Sequence, residues 1–355
     1  MRRPDPAHLE TEKRLRELEA RIAKEYEQAA KEVQEKLYDY LRRFEKKDKK
    51  WRQWVREGKE TKEDWLKWRQ AQILEGKRWQ NLRDQLAEEM LRADKLAKDL
   101  IEYSKPEIYA INHNYGTFEA ETGSGIDTSF TLYNREAVER ILLDNPEMLP
   151  PPGKKVSKAI AEGAAKRWNN QHLQSAMIQG ILQGESIPKL ATRAARAVGE
   201  SNRKAAIRNA RTMATGAQNA GRIDAYKRAE ALGIEMRQTW MATLDMRTRH
   251  EHRQMDGQTV KVGEPFKIDG YKLRFPGDPE GPAHLVYNCR CTVIGQVKGV
   301  EIDITKTDIR SKEALEGMNY EEWKQSKVEK PRDILSQEKT GQAMKARYIR
   351  RYRDG

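Results

Sequence analysis

Apolar residues at Leu15, Leu18, Ile22, Tyr26, Ala29, Val33, Leu37, Tyr40 and Phe44 are spaced 3, 4 and 4 apart, and the pattern then repeats. An eleven-residue period of about 3.67 residues per turn predicts one long helix with a nearly straight or slightly right-handed stripe. Gly58 interrupts it. Thr61 and Asp64 have the spacing of a capping box and open a second helix, whose stripe is Trp65, Trp68, Trp79, Leu82, Leu86, Met90 and Leu100. Gly76 is a flexible point in this run, and Pro106 is expected to close it. Two helices joined near Gly58 suit a hairpin or coiled coil with Trp51 and Trp54 at the turn. The tryptophans sit at helical spacing, which favours a packing stripe over a base-stacking platform.

Beyond Pro106 the pattern changes. Residues 106–154 read as turn-rich, with a short helix at Arg135–Leu143 and a linker at Pro150, Pro151 and Pro152. Helices resume at about Val156–Gln183. A shorter helix follows, with Ser186 as N-cap and Pro188 in its first turn, then a third over Ser201–Ala231 that Gly233 stops. Ala205, Ala206, Ala210, Ala214 and Ala217 let helices approach closely. Period-two patterning then predicts a strand at Gln238–Leu244 and a turn at Asp245. A short helix, capped by Thr248 with Glu251, ends at Asp256-Gly257. A hairpin over Phe266–Phe275 turns at Asp269-Gly270, and a last strand spans Val286–Ile294. The fold class is mainly α: a long N-terminal helical arm (hairpin or coiled coil), a central helical domain and a small α+β C-terminal motif domain. The expected divisions are an arm at 1–105, a turn-rich segment and Pro-rich linker at 106–154, the helical and α+β domain at 155–297, and a helical, basic tail at 298–355.

Charge sharpens this outline. The chain carries +13 and 35% of its residues are charged, with a mean hydropathy of −0.95. That balance fits long solvated helices and a polyanionic partner, most simply double-stranded DNA. Candidate phosphate contacts are Arg193, Arg196, Arg203 and Lys204 on one helical flank, and Arg347, Arg350 and Arg351 in the tail KARYIRRYR. A solvated helix face accounts for the same residues equally well. No apolar run approaches the ~20 residues that span a bilayer, and MRRPDPAHLE lacks the apolar region of a signal peptide. A soluble, cytoplasmically made protein without a membrane partner is expected.

The candidate chemistry is concentrated between Trp240 and Val297. Both cysteines, Cys289 and Cys291, lie there with His250, His252 and His284. On a strand, residues two apart share a face, so the two thiols would point the same way. With His252 as a third ligand, and Asp245, His250, His284 or Asp278 completing the set, they would form a tetrahedral zinc-type site. Two small buried packing residues are the alternative. Asp245, Arg247 and Arg249 form D-x-R-x-R, in which the carboxylate can hold an arginine bidentately and fix the turn against the final strand. The catalytic alternative is a metal-dependent nuclease or toxin-like effector built on His252, Cys289, Cys291 and Asp245.

These residues carry a resemblance. Asp245-Met246-Arg247-Thr248-Arg249, His252, Asp256-Gly257, Phe275-Pro276-Gly277-Asp278-Pro279 and Asn288-Cys289-Arg290-Cys291 resemble, in order and spacing, the motif of the phage Mu protein F-like, or head morphogenesis, family. The preceding GILQGESIPKLATRAARAV and RNARTMATGAQNAGRIDAY, and the trailing GMNYEEWKQS, extend the likeness over roughly 156–326. The resemblance implies a minor head protein without enzymatic activity, inside a tailed-phage head at the portal vertex and in the host cytoplasm during assembly. Its implied partners are the portal protein, DNA and a capsid or scaffolding protein. Its histidine and cysteine positions are suspected metal ligands, and Arg247, Arg249, Asp256, Gly257, Pro276 and Asn288 would be structural. The arm lies outside the likeness and is an interaction element open to self-association.

Overall fold

The long apolar stripes at helical spacing fold as long helices. The computed structural model describes residues 5–144, 158–298 and 318–329. The helices α1 (Pro6–Arg56), α2 (Lys62–Leu74), α3 (Lys77–Ser124), α4 (Arg135–Asp144), α5 (Lys158–Leu182) and α6 (Ile187–Ala231) come first. A small α+β part follows: β1 (Met236–Met241), α7 (His250–Met255), β2 (Thr259–Lys261), β3 (Phe266–Ile268), β4 (Tyr271–Leu273), α8 (Ala283–Val286) and β5 (Thr292–Val297), with α9 (Tyr320–Glu329) last. Among the described residues, no helix is long and apolar enough to cross a membrane.

Several elements differ from the sequence expectation, among them the helix opened at Thr61, which breaks at Glu75-Gly76 into α2 and α3. Pro106 does not close its helix, because α3 runs through it to Ser124. A proline inside a helix costs about 3 kcal/mol or more. That cost is offset where Ile108, Tyr109, Asn112 and His113 on the following turns are all buried. Residues 106–124 are therefore helical rather than turn-rich. The two helices expected either side of Gly199 are one, α6. Gly199 is a site of close approach, since a Cβ there would stand 2.9 Å from the Ala30 Cβ. The last strand begins at Thr292, six residues later than expected, because α8 and a turn occupy 283–291.

Two compact units organise these elements. One draws its described residues from Leu18–Ile101 and Lys154–Arg208. In it the α1 stripe of Leu18, Ile22, Val33 and Leu37 is buried against the chain's own helices. Tyr26 Oη donates to Asp94 at 2.5 Å and Tyr40 Oη to the Ile73 carbonyl at 2.8 Å. The tryptophans pack as the spacing predicts. Trp65 and Trp79 are buried, with Nε1 donating to Asp48 and Gln174 at 2.9 and 2.7 Å, and Trp51 stacks on Trp68. Arg52 and Arg69 donate to the Glu185 carbonyl at 2.9 and 2.7 Å, satisfying an acceptor just past the end of α5.

The second unit draws on Met1–Glu17, Glu102–Gly153 and Asn209–Gly355. Its sheet has the order β2-β1-β5, antiparallel throughout. The β3-β4 hairpin turns at Asp269-Gly270, both with positive φ (46° and 80°), as the type I′ turn requires. The trailing segment GMNYEEWKQS caps α9 through the Asn319 carboxamide. It buries Tyr320 and Trp323 against Phe118 and Phe130, and the Trp323 Nε1 and Lys327 Nζ reach the buried Glu121 at 2.7 and 2.6 Å.

At the centre of this unit Arg222 is wholly buried. It donates to Asp5 (2.7 Å), to Asn112 Oδ1 (3.1 Å) and to the Val293 carbonyl (3.0 Å), and its guanidinium lies 4.8 Å from the Tyr115 ring centroid. Burial works against the Asp5 carboxylate, but Arg222 holds it below the usual range. Nearby Glu119 is pushed up to about 7, first by burial and secondarily by Asp5, against the opposing pull of Arg222 and the Tyr226 hydroxyl. A carboxyl whose folded pKa is raised binds more protons folded than unfolded, so its contribution is present at low pH and lost as pH rises from about 4.5 to about 7. Glu119→Gln should therefore flatten the fall in unfolding free energy over that window, on the order of 3 kcal/mol, in urea titrations at stepped pH. An unchanged slope would remove Glu119 as its source.

Candidate metal centre

One face of α6 builds the site. Thr212, Thr215, Asn219 and Arg222 recur at three- and four-residue steps, so they stack along the helix, and each engages the backbone that carries the cysteines. Thr212 Oγ1 accepts the Asn288 N–H at 3.3 Å, and Thr215 Oγ1 donates to the Cys289 carbonyl at 2.6 Å. Asn219 Nδ2 donates to the carbonyls of Pro276 (3.0 Å) and Cys291 (3.2 Å), while its Oδ1 accepts the Val293 N–H at 2.8 Å. Gly216 lets the Pro276-Gly277 loop touch the helix, since a Cβ there would meet the Gly277 carbonyl oxygen at 2.9 Å. This ladder is not among the sequence expectations. Its signal is a polar residue every three or four positions within an alanine-rich helix.

The cysteines converge by a route other than the one expected. They precede β5 and sit in a turn opened by Asn288, whose φ is 54°. The Cys291 N–H points at the Cys289 Sγ, 3.4 Å away. His252 comes from α7, where it shares the buried face with Met255 and meets the Trp240 ring edge-on. Its Nδ1 lies 3.2 Å from the Cys291 Sγ and 3.6 Å from the Cys289 Sγ. All three residues are 2% exposed, and neither cysteine is in a disulfide.

The donor set supplies three corners of a tetrahedral ion. Zinc–sulfur and zinc–nitrogen bonds of about 2.3 and 2.0 Å separate neighbouring S and N by roughly 3.5 Å, and the three ligand atoms lie within 4.8 Å of one another. The His252 Nε2 lies 2.9 Å from the Leu285 carbonyl oxygen. A carbonyl only accepts, so Nε2 carries the hydrogen and the Nδ1 lone pair faces the sulfurs, the arrangement a ligating imidazole needs. Burial pushes the Cys289 thiol up. The hydrogen bond from Cys289, helped by His252, draws Cys291 down.

The other predicted residues lie elsewhere. Asp245 does not join the cluster; its two oxygens accept from Arg290 Nη1 and Nη2 at 2.6 and 2.7 Å, and these bonds hold its carboxyl well below the usual range. The bidentate arginine is thus Arg290. Arg247 stands 3.8 Å from the carboxylate, and Arg249 donates to the Tyr287 carbonyl. Asp278 is buried, taking the Arg274 side chain and two backbone N–H groups, and His250 and His284 are exposed. Among the described residues no fourth histidine, cysteine or carboxylate joins the group. Thr248 does not cap α7, whose N-cap is Arg249; its hydroxyl closes the turn onto Thr243 and Asp245. Asp256 accepts the Ala242 N–H at 2.8 Å, and Gly257 turns the chain with φ 81°.

Of the candidate phosphate contacts, Arg193 pairs with Glu185, Arg196 with Glu200 and Arg203 with Glu27, while Lys204 is exposed. Arg347, Arg350 and Arg351 lie outside the described residues.

Comparison with known proteins places this site in context. Residues 171–294 match the family model described as Phage Mu protein F like protein. The chain is 26% identical over 226 residues to the minor head protein GP7 of Bacillus phage SPP1, covering 62% of this chain and 69% of that one. It is 32% identical over 234 residues to an Enterococcus faecalis protein named NAD(+)--arginine ADP-ribosyltransferase EFV, covering 66% of this chain but 46% of that one. An uncharacterized Haemophilus influenzae protein is 29% identical over 216 residues, 42% of its length. No solved structure matches.

Proposed function

We propose, from the match of residues 171–294 to the family model described as Phage Mu protein F like protein, that the chain is a minor head protein of a tailed phage. It acts in head morphogenesis at the portal vertex, beside packaged DNA, and is carried in the virion. The observation that supports this best is a likeness to the SPP1 minor head protein that spans most of that protein's length. The +13 charge suits a position beside concentrated DNA, where phosphate contacts release counterions. In this reading zinc is held by His252, Cys289 and Cys291, and it supplies a structural cross-link between α7 and the turn before β5. The three ligands are buried, which restricts the access of a substrate, and the fourth position would fall to water or to a donor outside these three.

The likeness to the ribosyltransferase covers less than half of that enzyme, so its named activity is not carried over to this chain and is tested directly. The test has three arms. Purified protein should co-sediment with the portal protein encoded beside it, and purified virions should contain it. Neither NAD-dependent arginine modification nor metal-dependent plasmid cleavage should accompany it. Turnover that disappears in His252→Ala would overturn the structural reading.

A further inference from the structure

The turn between β1 and α7 is unusual in what it displays. Among the described residues Met246 is the most exposed large hydrophobic side chain, at 99%, and Leu244 beside it is 60% exposed. Single exposed apolar residues are ordinary; two at the tip of a firmly tied turn are not. The Asp245 carboxylate holds Arg290 bidentately and also takes the Arg247 N–H at 2.9 Å. The Asp245 N–H donates to Thr248 Oγ1 at 3.0 Å, and the Asp245 carbonyl accepts from Arg253 at 2.8 Å. Thr243 Oγ1 donates to the Arg290 carbonyl at 2.7 Å. The Cys291 sulfur touches both flanks of this turn, taking a backbone hydrogen bond from Thr243 before it and lying 3.2 Å from His252 Nδ1 after it.

The charge around the tip is one-sided. Arg290 neutralises Asp245. Arg249 and Arg253 rest on carbonyl oxygens, which satisfy their hydrogen bonds without cancelling their charge, and Arg247 is exposed. Glu251 is the one remaining carboxylate between Leu244 and Arg253. The apolar pair is therefore ringed by an excess of guanidinium groups on a scaffold already in its bound shape, which removes much of the ordering cost of association.

We propose that the Leu244–Met246 knuckle is a docking element that inserts into an apolar socket ringed by carboxylates on another protein. A second copy of this chain is disfavoured as that partner, because each copy carries +13 and would repel the other. Nucleic acid offers the negative charge but no reason for two thioether and aliphatic side chains at the tip. The choice of probes rests on the head-protein reading; the assignment of the knuckle does not.

The experiment measures binding of the full chain to purified portal protein, to purified major capsid protein and to a short DNA duplex. Wild type is compared with Leu244→Ser/Met246→Ser and with Arg247→Glu/Arg253→Glu. Photo-crosslinking from a benzophenone amino acid at position 246 in assembled heads accompanies it. The expected result is about a tenfold or greater loss for one protein partner with both variants, unchanged duplex binding with the apolar variant, unchanged circular dichroism, and a cross-link to that same protein. A cross-link to a head protein other than the portal, with no portal binding, would support the knuckle and sink the portal assignment. Portal binding untouched by the apolar variant, with no cross-link, would sink the knuckle and leave the head-protein reading standing. An equal loss of duplex binding, or a cross-link to DNA, would make the partner nucleic acid and overturn the proposal, as would binding to none of the three without a cross-link.

Discussion

Arg222→Ala lowers the unfolding free energy of the site-bearing unit by about 3–5 kcal/mol, the range for removing one partner of a buried ion pair. Loss of the side chain leaves Asp5, a part-buried carboxylate that still accepts the His8 N–H, without its cation and strips a donor from the Val293 carbonyl. Asn112 Oδ1 loses its guanidinium too. Asp5→Asn is milder, because an amide oxygen still accepts from Arg222 while the charge attraction is lost. Urea unfolding followed by circular dichroism separates the two. A loss below about 1 kcal/mol for Arg222→Ala would show that the network is tolerant and that apolar packing alone holds β5 on α6. The interaction energy from the double variant isolates the pair itself, since the two residues share one network.

Cys289→Ser/Cys291→Ser should abolish metal binding. Protein purified without chelator is expected to carry about one zinc per chain by elemental analysis, and the double variant none. At a free metal concentration of about a thousand times the dissociation constant, the ion contributes about 4 kcal/mol of stability, and chelator treatment of wild type should reproduce that loss. His252→Ala gives the same result by removing the nitrogen ligand. Serine is close to cysteine in size, so metal-free wild type with a double variant as stable as wild type would favour two small packing residues instead. The expected coupling to the knuckle is specific: the metal-free protein binds its partner more weakly, because the turn it pins loosens.

Much of this architecture is legible from hydrophobic spacing. The stripe from Leu18 to Tyr40 is buried, and the arginine clamp expected of Asp245 is present, on Arg290. Local rules ended a helix at Pro106 and divided α6 before Ser201 for one reason: they describe what a short stretch prefers in isolation, whereas the surrounding contacts continue both helices. Ile108 and Tyr109 hold the helix past Pro106, and Ala30 needs the space that Gly199 leaves. The site was legible in part because cysteine is scarce, so Cys289 and Cys291 stood out beside His252. The Thr212, Thr215 and Asn219 rungs are not legible in the sequence because nothing local distinguishes a threonine that reads a distant backbone from one that faces water. Their partners lie more than 70 residues away in sequence, and only the folded chain brings them together.

Asp5 sits 217 residues before Arg222, and the Val293 carbonyl that the same guanidinium holds lies a further 71 residues on. During synthesis at about 5–20 residues per second, Asp5 must wait on the order of 15–60 s for the segment carrying Val293 to be made. Until then the Asp5 end of α1 is open to passing partners, and in the making of this protein that end finds its place only after the distant segment that holds it has emerged.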